Sequence, residues 1–308
     1  MIQKDKILKS ITNFGGLQFL SLAIGVVRSK LAAIWLGASG VGFFGLMVTT
    51  FNLLVGILNL GLPTSTIKHL SSKSGKNLSK NIKIIEILSV ILGLVGGLIC
   101  LVFAKSLSEY TFKTTDYTWG FQLISISLFL KQVSSIYSSI IQSRVNLKQL
   151  ANANIVANLI GILFTLPLYY YFRIDGIIYN LLIVGLVELI VFYIFFKNLK
   201  FEKTKIKKKD FISESKEIIG DGFFFNLSSN LTLLSSYLLQ VFITYYGGMK
   251  ILGYYFSGYT ILNNYVSIIF TAMSVDYFPR ISKNKEDVEA MNEEVNFQVF
   301  IGTAILLP

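Results

Sequence analysis

The chain has 308 residues, of which 53% are hydrophobic and only 15% are charged. This composition is far more apolar than that of a water-soluble domain, so we expect an all-α integral membrane protein, a polytopic helical bundle. The formal net charge of +11 calls for no nucleic-acid partner, because basic residues that flank membrane spans account for it.

Apolar runs of spanning length recur along the chain, and a helix needs about 20 such residues to cross a bilayer. We predict eight complete transmembrane helices, at 14–36, 41–62, 84–104, 119–142, 152–172, 177–197, 217–246 and 252–279. The run at 297–308 is too short to cross, and we interpret it as a truncated ninth helix. A re-entrant or interfacial tail is the alternative.

Basic residues concentrate on one side of the predicted bundle. The N-terminus and the loops after the second, fourth, sixth and eighth spans hold most of them, whereas the other side has Lys105, Lys113, Arg173 and Lys250. Because cytoplasmic loops are enriched in Lys and Arg, we predict a cytoplasmic N-terminus. The basic run at 203–209 also suits anionic membrane lipids, although a topological anchor explains it equally well.

The predicted spans divide into two lobes. Residues 1–200 form a six-helix lobe, 201–216 a basic cytoplasmic linker, and 217–308 the start of a second lobe. A faint internal repeat relates the turn after the first span to the turn after the seventh. Gly37, Gly42, Phe43, Phe44, Thr49 and Asn52 match Gly247, Gly253, Tyr254, Tyr255, Thr260 and Asn263, with one gap. Six crossings separate the two turns, so the repeat is parallel.

Several predicted spans carry polar or small residues along one helical face, which lipid gives no reason to retain. Such stripes indicate either a water-filled cavity or packing between helices, where small and polar residues are also common. Side chains that suit sugar hydroxyls are Asn52, Ser134, Gln240, Thr260, Asn264 and Ser267.

Some predicted spans contain charged residues, each of which is costly there unless it meets water or a partner. Arg28, Lys30 and Lys131 are candidates for a cationic cavity that holds an anion. The fork of donors on Arg28 suits a diphosphate especially well. Glu188 has two interpretations: an ion pair with Lys131 or Arg28, or a proton acceptor that couples transport to a gradient.

Motifs for chemistry are missing from the sequence. It contains no phosphate-binding P-loop, no histidine pair at metal spacing and no nucleophile elbow. Cys100 and His69 are the single cysteine and the single histidine, which gives no basis for a metal cluster. We therefore predict a non-enzymatic protein without cofactor or metal.

Three stretches carry a family resemblance: Gly25 to Gly42, Asn59-Leu-Gly-Leu-Pro with Lys68, and Leu252-Gly-Tyr-Tyr-Phe-Ser-Gly-Tyr through Tyr277-Phe-Pro-Arg-Ile-Ser. They resemble the O-antigen and polysaccharide flippases of the multidrug, oligosaccharidyl-lipid and polysaccharide exporter superfamily. The resemblance implies two six-helix lobes around a central cavity, with Arg28 and Lys30 at positions similar to cationic cavity residues. Members of this family usually have twelve or more helices.

The resemblance also implies an activity. The expected cargo is an undecaprenyl-diphosphate-linked oligosaccharide, such as an O-antigen repeat unit for lipopolysaccharide. It would pass by alternating access from the inner to the outer leaflet of the bacterial cytoplasmic membrane. H⁺ or Na⁺ is the expected coupling ion, and a polysaccharide polymerase or chain-length regulator is a possible partner.

Other functions remain open at this stage. One is a cation-coupled multidrug exporter of the same fold, which would favour acidic over basic residues in the first lobe. A membrane-bound polysaccharide polymerase is disfavoured because the outer loops are short. A non-catalytic membrane fragment or partner subunit is the third alternative.

Overall fold

The computed structural model describes residues 2–71, 73–144, 147–199, 201, 204, 206–266 and 296. The side chains of 2–24, 27, 28, 147, 209, 225 and 264–266 fall outside this description. Over the described ranges the regular structure is helical and no strand occurs. The all-α prediction is therefore confirmed.

The helices follow one another with short connections. They are α1 (Ile2–Leu58), α2 (Leu62–Ser71), α3 (Gly75–Val102), α4 (Ala104–Phe112), α5 (Thr118–Ser143), α6 (Leu147–Phe172), α7 (Asp175–Lys197) and α8 (Lys208–Thr260). A short π-helix, Ile261–Val266, follows α8. Two of these helices, α2 and α4, lie in stretches that the sequence analysis left between spans.

In the part of the chain that the structure describes, five helical stretches are long and apolar enough to cross a membrane. They are Ser29–Leu58, Gly75–Val102, Thr118–Ser143, Lys148–Phe172 and Asp175–Lys197. Large apolar side chains such as Leu98, Leu163 and Ile190 are exposed on these helices, as expected for a lipid-facing surface. The protein is a multi-pass membrane protein. The count of eight spans stays a prediction, and the proposed ninth helix at 297–308 lies outside the described residues.

Two long helices are each interrupted at one glycine. In α1, Gly37 has φ 66° and ψ −177°, and in α8, Gly248 has φ 77° and ψ 173°. Glycine alone adopts this backbone region readily, because a Cβ would strain it. The predicted first and second spans thus meet in α1, and the seventh and eighth meet in α8. The structural counterpart of Gly37 is Gly248, not the predicted Gly247, so the internal repeat needs no gap.

An apolar core holds together the end of the bundle where α2 and the starts of α3 and α8 lie. We call it the basic end, because Lys68, Lys73, Lys76, Lys80 and Lys83 belong to it. The core combines side chains from four helices: Leu62 and Leu70 of α2, Ile84 and Ile85 of α3, Ile136 and Ile140 of α5, and Ile218 of α8. This packing fixes the start of α8 against the first helices of the chain.

The chain separates into two compact units, Met1–Gly253 and Tyr254–Pro308. In the second unit, the rings of Tyr255 and Tyr259 stack with centroids 6.0 Å apart. Asn263 Nδ2 donates to the Tyr259 carbonyl oxygen over 3.1 Å. The lobe boundary at 201–216 stays a prediction, and α8 begins at Lys208, inside the predicted linker.

Candidate functional site

Two charged side chains from predicted spans lie against each other between α5 and α7. Lys131 Nζ donates to Glu188 Oε2 over 2.6 Å, and the two side chains are 35% and 23% exposed. Gly185, almost one turn before Glu188, faces α5, where an added Cβ would make an ordinary van der Waals contact of 3.6 Å with Leu130 Cβ. The pairing offsets the cost of placing either charge alone in an apolar span.

Lys131 keeps donor capacity beyond its contact with Glu188. An ammonium group has three donors, and the contact with Glu188 occupies one of them. An anion that reaches Lys131 competes with the carboxylate, whereas a proton that reaches Glu188 removes its hold on the lysine. Anion binding at Lys131 and proton coupling through Glu188 both stay predictions.

The structure does not place the full predicted cationic cavity. The backbone of Arg28 belongs to α1, but its side chain lies outside the described residues. Lys30, two positions later in the same helix, is exposed. The joint action of Arg28, Lys30 and Lys131 on an anion stays a prediction.

The residues predicted to contact sugars occupy different environments. Asn52 of α1 is exposed and Thr260 at the end of α8 is half-buried. Ser134 is buried and donates to the Lys131 carbonyl oxygen over 3.1 Å. The side chain of Asn264 and the whole of Ser267 lie outside the described residues. Ser134 therefore presents no open surface in this conformation.

Gln240, the remaining residue predicted to contact sugars, is part of a contact between α1 and α8. It is 2% exposed, and its Nε2 donates to Thr49 Oγ1 over 2.9 Å. Between the two interpretations of the polar stripes, this geometry supports helix packing at Gln240. Its Oε1 is buried without a hydrogen-bond partner.

Two asparagines of α8 extend this contact towards the basic end. Asn226 Nδ2 donates to the Gly56 carbonyl oxygen over 2.9 Å and to Asn59 Oδ1 over 3.1 Å. Asn230 Nδ2 donates to the same Gly56 oxygen over 3.0 Å. These asparagines were not among the predicted site residues, although their spacing of four residues puts them on one helical face.

Close glycine contacts mark both ends of the α1–α8 contact. At the basic end, a Cβ on Gly222 would lie 2.7 Å from the Leu60 carbonyl oxygen. At the opposite end, a Cβ on Gly42 would lie 2.8 Å from the Gly253 backbone nitrogen. Real Cβ atoms do not come this close to backbone, so both contacts require glycine. The second half of α1 and the residues directly after it thus contact α8 between Gly222 and Gly253.

Solved structures of transporters share this fold. A MOP superfamily transporter from Pyrococcus furiosus, described as having a binding pocket of reverse polarity, is 18% identical with a TM-score of 0.63, over 95% of this chain and 68% of that one. A MATE protein in complex with Br-NRF is 16% identical with a TM-score of 0.61, over 95% and 73%. An outward-facing multidrug resistance MATE family transporter of the MOP superfamily is 17% identical with a TM-score of 0.62, over 95% of this chain and 68% of that one. At these identities the likeness shows the fold alone.

Sequence comparison identifies the family. No curated protein matches the chain. A family model described as polysaccharide biosynthesis protein matches residues 7–285, which is most of the 308 residues. The chain therefore belongs to the polysaccharide biosynthesis protein family and has the fold of the MOP superfamily transporters.

Proposed function

We propose that the protein moves an undecaprenyl-diphosphate-linked oligosaccharide, an O-antigen or another polysaccharide repeat unit, from the inner to the outer leaflet of the bacterial cytoplasmic membrane. The observation that carries this proposal is the family match over residues 7–285, which supports a polysaccharide cargo. The fold shared with MOP superfamily transporters supports alternating access between two lobes. In this role the protein is a carrier and not an enzyme.

The basic end faces the cytoplasm in this proposal. Its lysines, with those of the predicted linker, give the side bias that cytoplasmic loops show. The N-terminus lies on the same side. The cargo enters there from the inner leaflet, and its lipid tail stays in the bilayer between the lobes.

Arg28 and Lys131 hold the diphosphate during the crossing, assisted by Lys30 nearer the outer surface. Diphosphate oxygens compete with Glu188 for Lys131. Because Lys131 Nζ and Glu188 Oε2 are 2.6 Å apart, a diphosphate oxygen that binds Lys131 takes the place of the carboxylate. A proton on Glu188 favours the diphosphate further, which gives a route for coupling to an H⁺ gradient. Asn52, Thr260, Asn264 and Ser267 remain the proposed sugar contacts.

The test is rescue of a bacterial strain that lacks its own flippase. Surface polysaccharide is measured in cells that carry the wild-type chain, Arg28→Ala or Lys131→Ala, with membrane levels matched by immunoblot. We expect each substitution to lower surface polysaccharide about tenfold or more, equivalent to about 1.4 kcal/mol. Lys105→Ala is the matched control, because Lys105 is exposed in α4. Wild-type levels in both variants would remove the diphosphate site from the proposal.

A cation-coupled multidrug exporter is the second candidate function. Two of the similar structures are MATE proteins, and Glu188 provides a carboxylate inside a predicted span. Expression in a drug-sensitive strain separates the two functions, since only the exporter raises drug tolerance without affecting surface polysaccharide. A polysaccharide polymerase or chain-length regulator is the proposed protein partner of the flippase.

A further inference from the structure

Acidic residues line one face of the start of α8. Asp210, Glu214, Glu217 and Asp221 follow one another at steps of four, three and four, which places them on the same side of a helix. The face is directed at α2, the connection after it and the start of α3, where Lys68, Lys73 and Lys80 lie. The stretch therefore does more than link two lobes.

Each of these carboxylates meets a basic side chain. The pairs are Lys80 Nζ with Asp210 Oδ2 at 3.0 Å, Lys73 Nζ with Glu214 Oε2 at 3.0 Å, Lys68 Nζ with Asp221 Oδ2 at 2.7 Å, His69 Nε2 with Asp221 Oδ2 at 3.1 Å, and His69 Nδ1 with Glu217 Oε1 at 3.9 Å. Isolated exposed pairs contribute little, but pairs in a network on rigid elements act together.

The network rests on ordered neighbours. The Lys73 and Glu214 side chains are 26% and 25% exposed, and Lys73 also donates to Asn81 Oδ1 over 3.1 Å. Arg144 Nη1 at the end of α5 donates to the carbonyl oxygens of Leu70 and Lys73 over 3.3 and 3.2 Å. The backbone at Leu70 and Lys73 is therefore held by Arg144 independently of α8.

The network also stands where the two predicted lobes meet at the basic end. The lysines and His69 belong to the predicted first lobe. Asp210 and Glu214 belong to the predicted linker, and Glu217 and Asp221 to the start of the predicted second lobe. Directly beside the last pair, Gly222 lies against the backbone of Leu60 and Gly61, so no space for a side chain remains there. Any opening of this end between α2 and α8 must break these pairs.

We propose that Asp210, Glu214, Glu217 and Asp221, with Lys68, His69, Lys73 and Lys80, form a latch that closes the cytoplasmic side of the transporter. The eight residues are positioning residues: they set how often the basic end opens, and they do not carry the cargo across. This inference rests on the proposed alternating access. It adds the residues that hold one of the two alternating states.

The first experiment measures closure without transport. Ser215 is 7% exposed, and its hydroxyl has no hydrogen-bond partner, so Ser215→Cys is a mild reporter inside the latch. Its labelling by a water-soluble maleimide is followed in inverted membrane vesicles. The parent chain, with only the buried Cys100, supplies the background.

Charge reversals are then added to the reporter. We expect Lys73→Glu and Glu214→Lys each to raise the labelling rate about tenfold, and the double reversal Lys73→Glu/Glu214→Lys to return it to the parent rate. Lys76→Glu is the matched control, because it makes the same charge change at an exposed lysine of the same segment. Unchanged labelling in both single reversals, or a double reversal labelled as fast as the singles, overturns the latch.

The second experiment ties the latch to transport. Cysteines replace Lys73 and Glu214 and are joined by a cleavable bifunctional thiol reagent. Surface polysaccharide synthesis should stop on cross-linking and return on reduction, and full transport through the cross-linked protein overturns the latch. If the wild-type chain moves no glycan, the proposed function fails, while the labelling result still tests the latch.

Discussion

Gly42 and Gly253 lie against each other where α1 and α8 cross, and each approaches the other's backbone in the same way. A Cβ on Gly42 would collide with the carbonyl oxygen of Met249, and a Cβ on Gly253 with that of Ala38. Met249 and Ala38 stand four residues before Gly253 and Gly42. Reciprocal contacts of this kind characterise a two-fold relation. The internal repeat is thus also a packing contact.

The first prediction concerns this contact. Gly253→Ala places a methyl group against backbone atoms of α1, which cannot move aside as a flexible side chain can. Overpacking of this kind typically costs about 1–3 kcal/mol. We expect a lower midpoint of thermal unfolding in detergent. Gly258→Ala is the control, because nothing lies within 4 Å of the added Cβ. Equal midpoints for the two variants would contradict the contact.

The second prediction concerns the glycine breaks in α1 and α8. Gly37→Ala and Gly248→Ala meet no neighbour within 4 Å, so their cost comes from positive φ alone, at about 1–3 kcal/mol each. Thermal unfolding of the purified protein measures it. Gly220→Ala, also without a neighbour within 4 Å but inside a regular helix, should be neutral or stabilising. A stabilised Gly37→Ala variant would argue against the break.

The third prediction separates the structural from the transport role of the ion pair. Lys131→Met or Glu188→Leu leaves one charge without its partner in a predicted span, so we expect lower membrane levels of each single variant. The double variant restores the level because no charge remains, yet it should move no glycan. Immunoblots and surface polysaccharide are measured together. Transport by the double variant would show that the pair serves stability only.

The fourth prediction concerns the asparagine contacts of α8. Hydrogen bonds between membrane helices average about 0.6 kcal/mol. Asn226→Ala removes the hydrogen bonds to the Gly56 carbonyl oxygen and to Asn59 Oδ1. Asn230→Ala removes only one of this kind, to the Gly56 oxygen, so Asn226→Ala should be the more destabilising. Reversible unfolding in detergent mixtures gives both values. Asn158→Ala, at an exposed position of α6, is the control, and a loss there as large as at Asn226 would contradict the assignment.

The sequence predicted the apolar helices α3, α5, α6 and α7 because long apolar runs have few other uses. The count of eight spans stays a prediction. It predicted α2 and α4 poorly, since short helices between spans leave no hydropathy signal. The polar stripes indicated which face of the helix carries Gln240. They did not indicate that this face packs against α1, because periodicity does not distinguish a cavity from another helix. The depth of Lys131 and Glu188 indicated that both need partners, and the 2.6 Å contact identifies one partner for each.

The acidic face of α8 shows why the rest of the site was missed. Asp210 and Glu214 lie in a stretch that its composition predicts to be a basic linker. Their helical spacing indicates an ion-pair face only once α2 and α3 are known to lie opposite. Gly42 and Gly253 carried a detectable signal as members of the internal repeat, yet a repeat does not reveal that its two copies touch. Contacts between distant segments are what the sequence did not reveal.

The most direct test of the central claim uses the purified chain in liposomes that contain a fluorescent undecaprenyl-diphosphate-linked oligosaccharide. A membrane-impermeant glycosidase removes the label from the outer leaflet, and the fraction that stays protected is followed over time. We expect the protected fraction of the label to fall towards zero with wild-type protein. With Lys131→Ala it should stay close to the protected fraction in protein-free liposomes. A protected fraction that is the same with wild-type protein as without protein would contradict it.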